Sequence, residues 1–252
     1  MTSQRPGAIL VGASSGIGAA LADELAQRGY QVALVARRAP ELEAIAARLN
    51  TSALGAARVY AHDVRDYDAA PALFARICAD LNGAPLTLLV YASGAMPAGG
   101  SGGWSFADER EMIETNLIGA MRWLALGADV FARQGRGTLV GVSSVAGDRG
   151  RNGNSAYMAS KAGLSAYLES LRYRLARRGV RVVTIKPGFV ATAMISGKKP
   201  PRPLVISAEQ AAKRIAEVSE RGPEVVYVPA RWRAIMTIVR ALPPSVMKRL
   251  SF

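Results

Sequence analysis

Tyr157 and Lys161 stand four residues apart in a stretch, about 156–178, whose apolar spacing is helical. The two side chains therefore share one face. A free tyrosine titrates near ~10 and relays protons poorly at neutral pH. An ammonium close by favours the phenolate and draws the group towards a useful range for general acid–base work. Such a pair can pass a proton to or from an oxygen, as a carbonyl reduction or an alcohol oxidation requires. In a chain with eight tyrosines the spacing alone is close to chance. A surface pair on a helix reads the same way, so the surroundings must decide.

The first surrounding feature is Val11-Gly12-Ala13-Ser14-Ser15-Gly16-Ile17-Gly18. It joins a β-rich run, residues 8–11, to a helical stretch from about 17 to 28. This is where a dinucleotide pyrophosphate meets the free N–H groups of a helix N-terminus. Gly12 permits the tight turn, Gly16 lets a phosphate approach the backbone, and Gly18 lets the helix lie close to the strand. Gly12, Ser14, Ser15, Gly16, Ile17 and Gly18 are thus expected at a cofactor. Nineteen residues after Gly18, the second β-rich run ends in Ala36-Arg37-Arg38. A carboxylate there would hold a ribose 2′-hydroxyl and repel a 2′-phosphate, whereas a guanidinium attracts the phosphate with two-point geometry. Arg37 and Arg38 favour NADP(H) over NAD(H); the plainer alternative is a solvated strand end.

The elements that must carry these groups alternate. β-Rich runs fall at 8–11, 31–36, 57–61, 86–91, 138–142, 181–185 and 224–228. Helical patterns fall near 17–28, 40–49, 67–81, 107–133, 156–178 and 208–220, with glycine stops at Gly29, Gly135–Gly137 and Gly179. Strand–helix alternation predicts an α/β fold: one doubly wound Rossmann domain, a seven-stranded parallel sheet with helices on both faces. Residues 1–230 form that domain. Residues 193–206, with three prolines and two adjacent lysines, are too broken for a regular helix.

The G-x-x-x-G-x-G spacing resembles the short-chain dehydrogenase/reductase family, and later motifs follow in that family's order over nearly the whole chain. The resemblance implies a catalytic set of Asn116, Ser144, Tyr157 and Lys161. Ser144, thirteen residues before Tyr157, would hydrogen-bond the substrate oxygen, and its neighbour Ser143 is read as structural. Asn116 would hold a water in a relay to the lysine. Asp63 and Val64 match the family's adenine contact. Tyr91-Ala92-Ser93-Gly94 keeps the glycine of the family's usual Asn-Asn-Ala-Gly and loses both asparagines. Ala92, Ser93 and Gly94 should still pass close to the cofactor, without an asparagine side chain to brace the sheet. Lys186-Pro187-Gly188-Phe189-Val190-Ala191-Thr192 resembles the turn in which Pro187, Gly188, Val190 and Thr192 hold the nicotinamide carboxamide. Residues 193–206 match the substrate lid; Lys198 and Lys199 either attract an anionic substrate or keep a mobile loop solvated. Homodimers or homotetramers, through the two long helices, are also implied.

Composition excludes other chemistries. The chain has 252 residues, half of them hydrophobic, enough for a core without metal or disulfide. Cys78 is the single cysteine, in an apolar helical pattern, and His62 the single histidine. No metal site and no serine–histidine triad is expected, and a reducing, cytoplasmic setting is. Net charge is +13, but no aromatic-rich or zinc-finger signature accompanies it, so nucleic acid is not expected as a partner. The N-terminal residues are not expected to act as a signal peptide, and no uncharged run nears the ~20 residues of a spanning helix. Gly99–Gly103 reads as a flexible turn. The tail, 231–252, carries Trp232, Ile235, Met236, Ile238, Val239 and Leu242 on an apolar stripe bordered by arginines and lysines. It suits a helix at a membrane surface, on the inner face, or one packed on its own domain or a partner subunit. The tail and residues 146–149 are similar to reductases of the decaprenylphosphoryl ketopentose 2-reductase group, which implies a lipid-linked carbonyl substrate. The function expected is NADPH-dependent reduction of a ketone or aldehyde. The alternative is a non-catalytic NADP-binding regulator or membrane-associated scaffold on the same fold, which would have no need of the four catalytic positions together.

Overall fold

Residues Gly7–Val11 are all buried and carry no polar alternation, so this strand needs cover on both faces. The same holds for most of the strands that follow, and a parallel sheet between two helical layers meets the need. The computed structural model describes residues 5–51, 56–81, 83–97, 105–196 and 201–249. The 99–103 turn, Gly197 to Pro200 of the lid, and Leu250 to Phe252 lie outside them.

The first half runs β1 (Gly7–Val11), α1 (Gly16–Gln27), β2 (Gln31–Ala36), α2 (Ala39–Leu49), β3 (Ala57–Ala61), α3 (Ala70–Asp80) and β4 (Leu86–Tyr91). The second runs α4 (Phe106–Ile113), α5 (Gly119–Gln134), β5 (Gly137–Val142), α6 (Ser155–Leu175), β6 (Val180–Pro187), β7 (Phe189–Val190), β8 (Val205–Ile206), α7 (Ala208–Glu220) and β9 (Val225–Val228). Two short helices, α8 (Trp232–Ala241) and α9 (Pro244–Met247), close the described chain.

Seven strands pair in parallel in the order β3-β2-β1-β4-β5-β6-β9. One face is packed by α1, α2 and α7, the other by α3, α5 and α6. This is the doubly wound Rossmann architecture. Its strand order reverses between β1 and β4, which opens a crevice at the carboxyl ends of those strands.

Three local features differ from the sequence reading. The helix expected over 107–133 is divided: α4 and α5 flank a π-helical turn, Glu114–Ile118. The Thr115 carbonyl in that turn accepts a bond from the buried Tyr91 hydroxyl at 2.6 Å. The helix expected from Tyr67 begins only at Ala70, with Pro71 in its first turn. A second, two-stranded sheet, β7 with β8, ties the chain after the lid to the turn after β6. The lid itself holds two single 3-10 turns, Ala193–Ile195 and Arg202–Leu204.

At the tail, Trp232, Met236, Val239 and Met247 are buried in a small cluster with Val145, bordered by Phe189, Leu204 and Tyr227. Among the described residues, no helix is long and apolar enough to cross a membrane.

Candidate active site

The crevice is a cleft of about 990 Å³, at the upper end of the size of small-molecule sites. One end is the glycine loop. Gly12 has φ +95°, and a Cβ on it would lie 2.4 Å from the Ser93 nitrogen at the end of β4. A Cβ on Gly18 would lie 2.0 Å from the Gly12 carbonyl. Both positions admit only glycine, and they set α1 directly on the strand ends. The N-cap of α1, Ser15, makes no side-chain capping bond, and the first turn has no acid. Its N–H groups are therefore available to an anion, and the loop fits a dinucleotide pyrophosphate.

Arg37 and Arg38 line the same end of the cleft. Arg38 donates to the Ser14 hydroxyl at 2.9 Å and pairs with Glu41 at 3.3 Å. Arg37 makes longer pairs, 3.8 Å to Asp63 and 3.7 Å to Glu111. Val64 and His62 line the cleft, but Asp63, expected at the adenine, is not part of its wall. Its carboxylate folds back on Arg65, accepting from the side chain at 2.7 Å and from the backbone N–H at 3.0 Å. The Arg65 hydrogen bond holds the Asp63 carboxyl below the usual carboxylate range against the opposing effect of burial.

At the other end stand Ser144, Tyr157 and Lys161. Ser144 ends the extended run of β5, and its Oγ accepts from the Ala146 N–H at 3.1 Å, capping a 3-10 turn, Val145–Gly147. Ser143 binds the Lys161 carbonyl at 2.9 Å and shares a bond with Ser165, so it holds β5 to α6. Asn154 caps α6 by accepting from the Tyr157 N–H at 2.9 Å, which fixes Tyr157 in the first turn. One turn on, the Lys161 Nζ lies 5.8 Å from the Tyr157 ring centroid and donates to the Val142 carbonyl at 3.0 Å.

Burial dominates the charges of this pair. Burial pushes the Tyr157 phenol up, and the Ser144 hydroxyl and the Arg151 guanidinium pull it partly back. Lys161 was expected to draw the tyrosine down. In the structure its ammonium is committed to a backbone carbonyl, and burial lowers the lysine itself to about 8.

Asn116 is fully buried and does not line the cleft. Its side chain accepts from the Ala95 N–H at 2.7 Å and donates to the Ala95 carbonyl at 3.0 Å and to Ser160 at 3.1 Å. The polar groups of that side chain are thus committed to the loop after β4 and to α6. It supplies, from the π-helical turn, a brace for that loop where residues 92 and 93 carry no asparagine. A Cβ on Gly94 would lie 3.5 Å from Asn116 Oδ1 and 3.7 Å from Lys161 Nζ, so one bare backbone position separates the two.

Ala92, Ser93, Gly94, Pro187, Gly188, Val190 and Thr192 all line the cleft. Thr192 comes within 3.0 Å of where a Gly16 Cβ would sit, so the turn after β6 faces the glycine loop. Gly188 has no room for a side chain because the Trp232 indole rests on it. Sequence reasoning missed two parts of the wall. One is Arg151, in a loop with no motif. The other is the inner face of α8, with Trp232, Ile235, Met236 and Val239; the apolar stripe was visible, but not the surface it meets.

The family model for short chain dehydrogenases matches residues 7–202. The chain belongs to the short-chain dehydrogenase family. Similar proteins in this family include an uncharacterized oxidoreductase of Mycobacterium tuberculosis, 32% identical over 247 residues, covering 96% of each chain. Another, from Myxococcus xanthus, is 36% identical over 238 residues, 94% of this chain and 92% of the other. A solved actinorhodin polyketide ketoreductase with NADPH superposes with a TM-score of 0.80 at 25% identity, covering 90% of this chain and 97% of that one. The protein is an oxidoreductase of the short-chain dehydrogenase family, and its cleft suits the nicotinamide dinucleotide that this chemistry uses.

Proposed function

We propose that this protein reduces a ketone or aldehyde to an alcohol, reversibly, with NADPH as the reductant. The observation that carries the reading is the convergence of Ser144, Tyr157 and Lys161 on the same cleft as the glycine loop and the turn after β6. When bound, the cofactor supplies a hydride to the carbonyl carbon. The Tyr157 phenol, kept protonated by burial, gives its proton to the carbonyl oxygen as charge develops there. The Ser144 hydroxyl orients that oxygen by a hydrogen bond. Lys161 holds a proton at Nζ that is exchangeable near pH 8 and so is suited to resupply the tyrosine. Asn116 acts as a positioning residue, through Ala95 and the loop it braces.

Arg37 and Arg38, each about half exposed at the cleft, support NADPH over NADH. The ketoreductase similar in fold is a complex with NADPH, in line with that preference. Exposed Met121 of α5 and Tyr173 of α6 support a homodimer or homotetramer through those helices. The test is NADPH oxidation with a panel of carbonyl compounds. Tyr157→Phe should abolish turnover and leave the NADPH Kd within about twofold; retained turnover would remove Tyr157 as the proton donor.

A second reading concerns where the protein works. The outward face of the tail carries Arg231, Arg233, Arg240, Lys248 and Arg249, all exposed, and Ile238 is 65% exposed among them. No acid lies between residues 225 and 252. Basic charge around an exposed apolar side chain supports peripheral contact of a cytoplasmic protein with an anionic membrane. Flotation with liposomes containing anionic lipid, compared between wild type and Arg231→Glu/Arg233→Glu/Arg240→Glu, tests it; equal flotation would remove it.

A further inference from the structure

We infer that the compound reduced is a bulky, apolar ketone or aldehyde, and that α8 is the wall that sets how large its hydrocarbon body can be. The inference rests on the reductase reading and names the substrate class of the same site.

Beyond the parts that fit the dinucleotide, the cleft is walled by Trp232, Ile235, Met236 and Val239 of α8, with Phe189 and Leu204 beside them, and its polar lining there is Arg151, Asn152 and Asn154. Val145, the residue after Ser144, is buried in the cluster that holds α8. Apolar surface therefore begins one residue from the hydroxyl that would orient the reacting oxygen. Trp232 is 95% buried, since 5% of its surface is exposed, and stands edge-on to Phe189 at 5.6 Å. Its position depends on Gly188, where a Cβ would lie 1.8 Å from the indole nitrogen. Among the described residues, neither aspartate nor glutamate lines the cleft.

The wall is fixed rather than loose. Arg149 donates to the carbonyls of Leu242 at 3.1 Å and Arg240 at 3.4 Å, at the end of α8. Next to it, buried Asp148 pairs with Lys186 and accepts from the Tyr227 hydroxyl at 2.6 Å. These bonds run from the turn after Ser144 to β6, β9 and α8. A hydrated, polyhydroxylated substrate would strip its water against this wall without gaining partners. A hydrocarbon body gains about fourfold in binding per buried methylene.

The experiment uses the full chain with NADPH and a series of methyl ketones from 2-butanone to 2-undecanone, with 2-decalone as a bulky probe and dihydroxyacetone as a polar one. Wild type should gain about fourfold in kcat/KM per methylene until the cleft is filled. Trp232→Ala should raise the kcat/KM ratio of 2-decalone to 2-butanone about tenfold or more, and Ile235→Trp should lower it about as much. Ile235 is only half-buried, so Ile235→Ala stands in if Trp232→Ala does not fold, with the same direction expected. Preference for dihydroxyacetone, or a ratio unmoved in folded variants, would overturn the inference and leave the reductase reading standing. Thermal shift by 2-undecanone with NADP+ separates the opposite failure. If no carbonyl is turned over, a shift in wild type that Ile235→Trp loses supports the apolar site and removes the reductase reading. If there is neither turnover nor a shift, the inference is overturned.

Discussion

Replacing Lys161 by Met should make the protein more stable at pH 7 while it ends catalysis. The lysine is 4% exposed, and burial alone lowers its pKa from 10.5 to about 8. At about 1.36 kcal/mol per pH unit, the native state carries a cost of about 3 kcal/mol for holding this ammonium at pH 7. Methionine has a similar length and no charge to desolvate. It forfeits the hydrogen bond to the Val142 carbonyl, worth about 1 kcal/mol. The net gain is about 2 kcal/mol, or roughly 4–8 °C in Tm for a chain of this size. The sign follows from proton counting. Below pH 8 both states bind the lysine proton and the full cost applies. Between pH 8 and 10.5 the unfolded chain keeps the proton and the native state releases it, so wild-type stability climbs with pH. The Met variant lacks that climb. Its advantage should vanish and become a deficit of about 1 kcal/mol near pH 10.5. Tyr157, raised by burial, has the opposite effect above its unfolded pKa near ~10, but both proteins carry it and it cancels in the difference. Urea unfolding of both proteins at pH 7, 8, 9 and 10, read by circular dichroism, gives that difference directly. A difference constant across the series, or a Met variant less stable at pH 7, would refute the reasoning. Turnover of the variant should fall by at least about a hundredfold.

Further outcomes follow from two substitutions outside the proton centre. Arg38→Ala should weaken NADPH about tenfold, the low end for a hydrogen bond to a charged group because Arg38 is half exposed, and leave NADH within about threefold; calorimetric titration of both dinucleotides reads it, and parallel losses would show that Arg38 does not meet the 2′-phosphate. Asp148→Asn leaves the Lys186 ammonium, 13% exposed, without its carboxylate, and should cost about 3 kcal/mol in urea unfolding. In the same variant the Tyr227 hydroxyl, pushed up to about 12 by burial and by Asp148, should titrate lower in an ultraviolet pH series; an unmoved titration would mean that burial alone sets it.

The legible parts of the fold are those fixed by neighbours in sequence. Runs such as residues 86–91 read as buried strands because they lack polar alternation, and the glycine stops at Gly135 and Gly179 bound the long helices. The glycine loop was legible from its spacing after a β-rich run, but only Gly18 answers to contacts within residues 12–18; Gly12 meets Ser93 and Gly16 meets Thr192, partners that the spacing does not reveal. The π-helical turn was not legible. Its helical period continues from α4 into α5, and the extra residue is stabilised by Tyr91, 24 positions away. Asp63 was legible as a residue, but its pairing with Arg65 two positions on was not. The tyrosine's electrostatics were legible only in part, because spacing reveals the lysine nearby but not the depth of burial, and here burial is the first cause for both groups.

The four residues from Ser144 to Gly147, with Asp148 and Arg149 after them, tie the Ser144 end of the cleft to the wall formed by α8. Ser144 faces the cleft, Val145 packs under α8, Asp148 grips Lys186 and Tyr227, and Arg149 caps the end of α8. Lys186 in turn immediately precedes the Pro187-Gly188 turn that faces the glycine loop. A shift of α8 must therefore be felt at Ser144 on one side and at Gly188, under the Trp232 ring, on the other. The family model matches residues 7–202, so α8 lies beyond that match, while Asp148, Arg149 and Lys186 lie within it. On the proposed reductase reading, substitutions on α8 should change the group accepted beside the carbonyl and leave Ser144 in place only while Arg149 and Asp148 keep their partners.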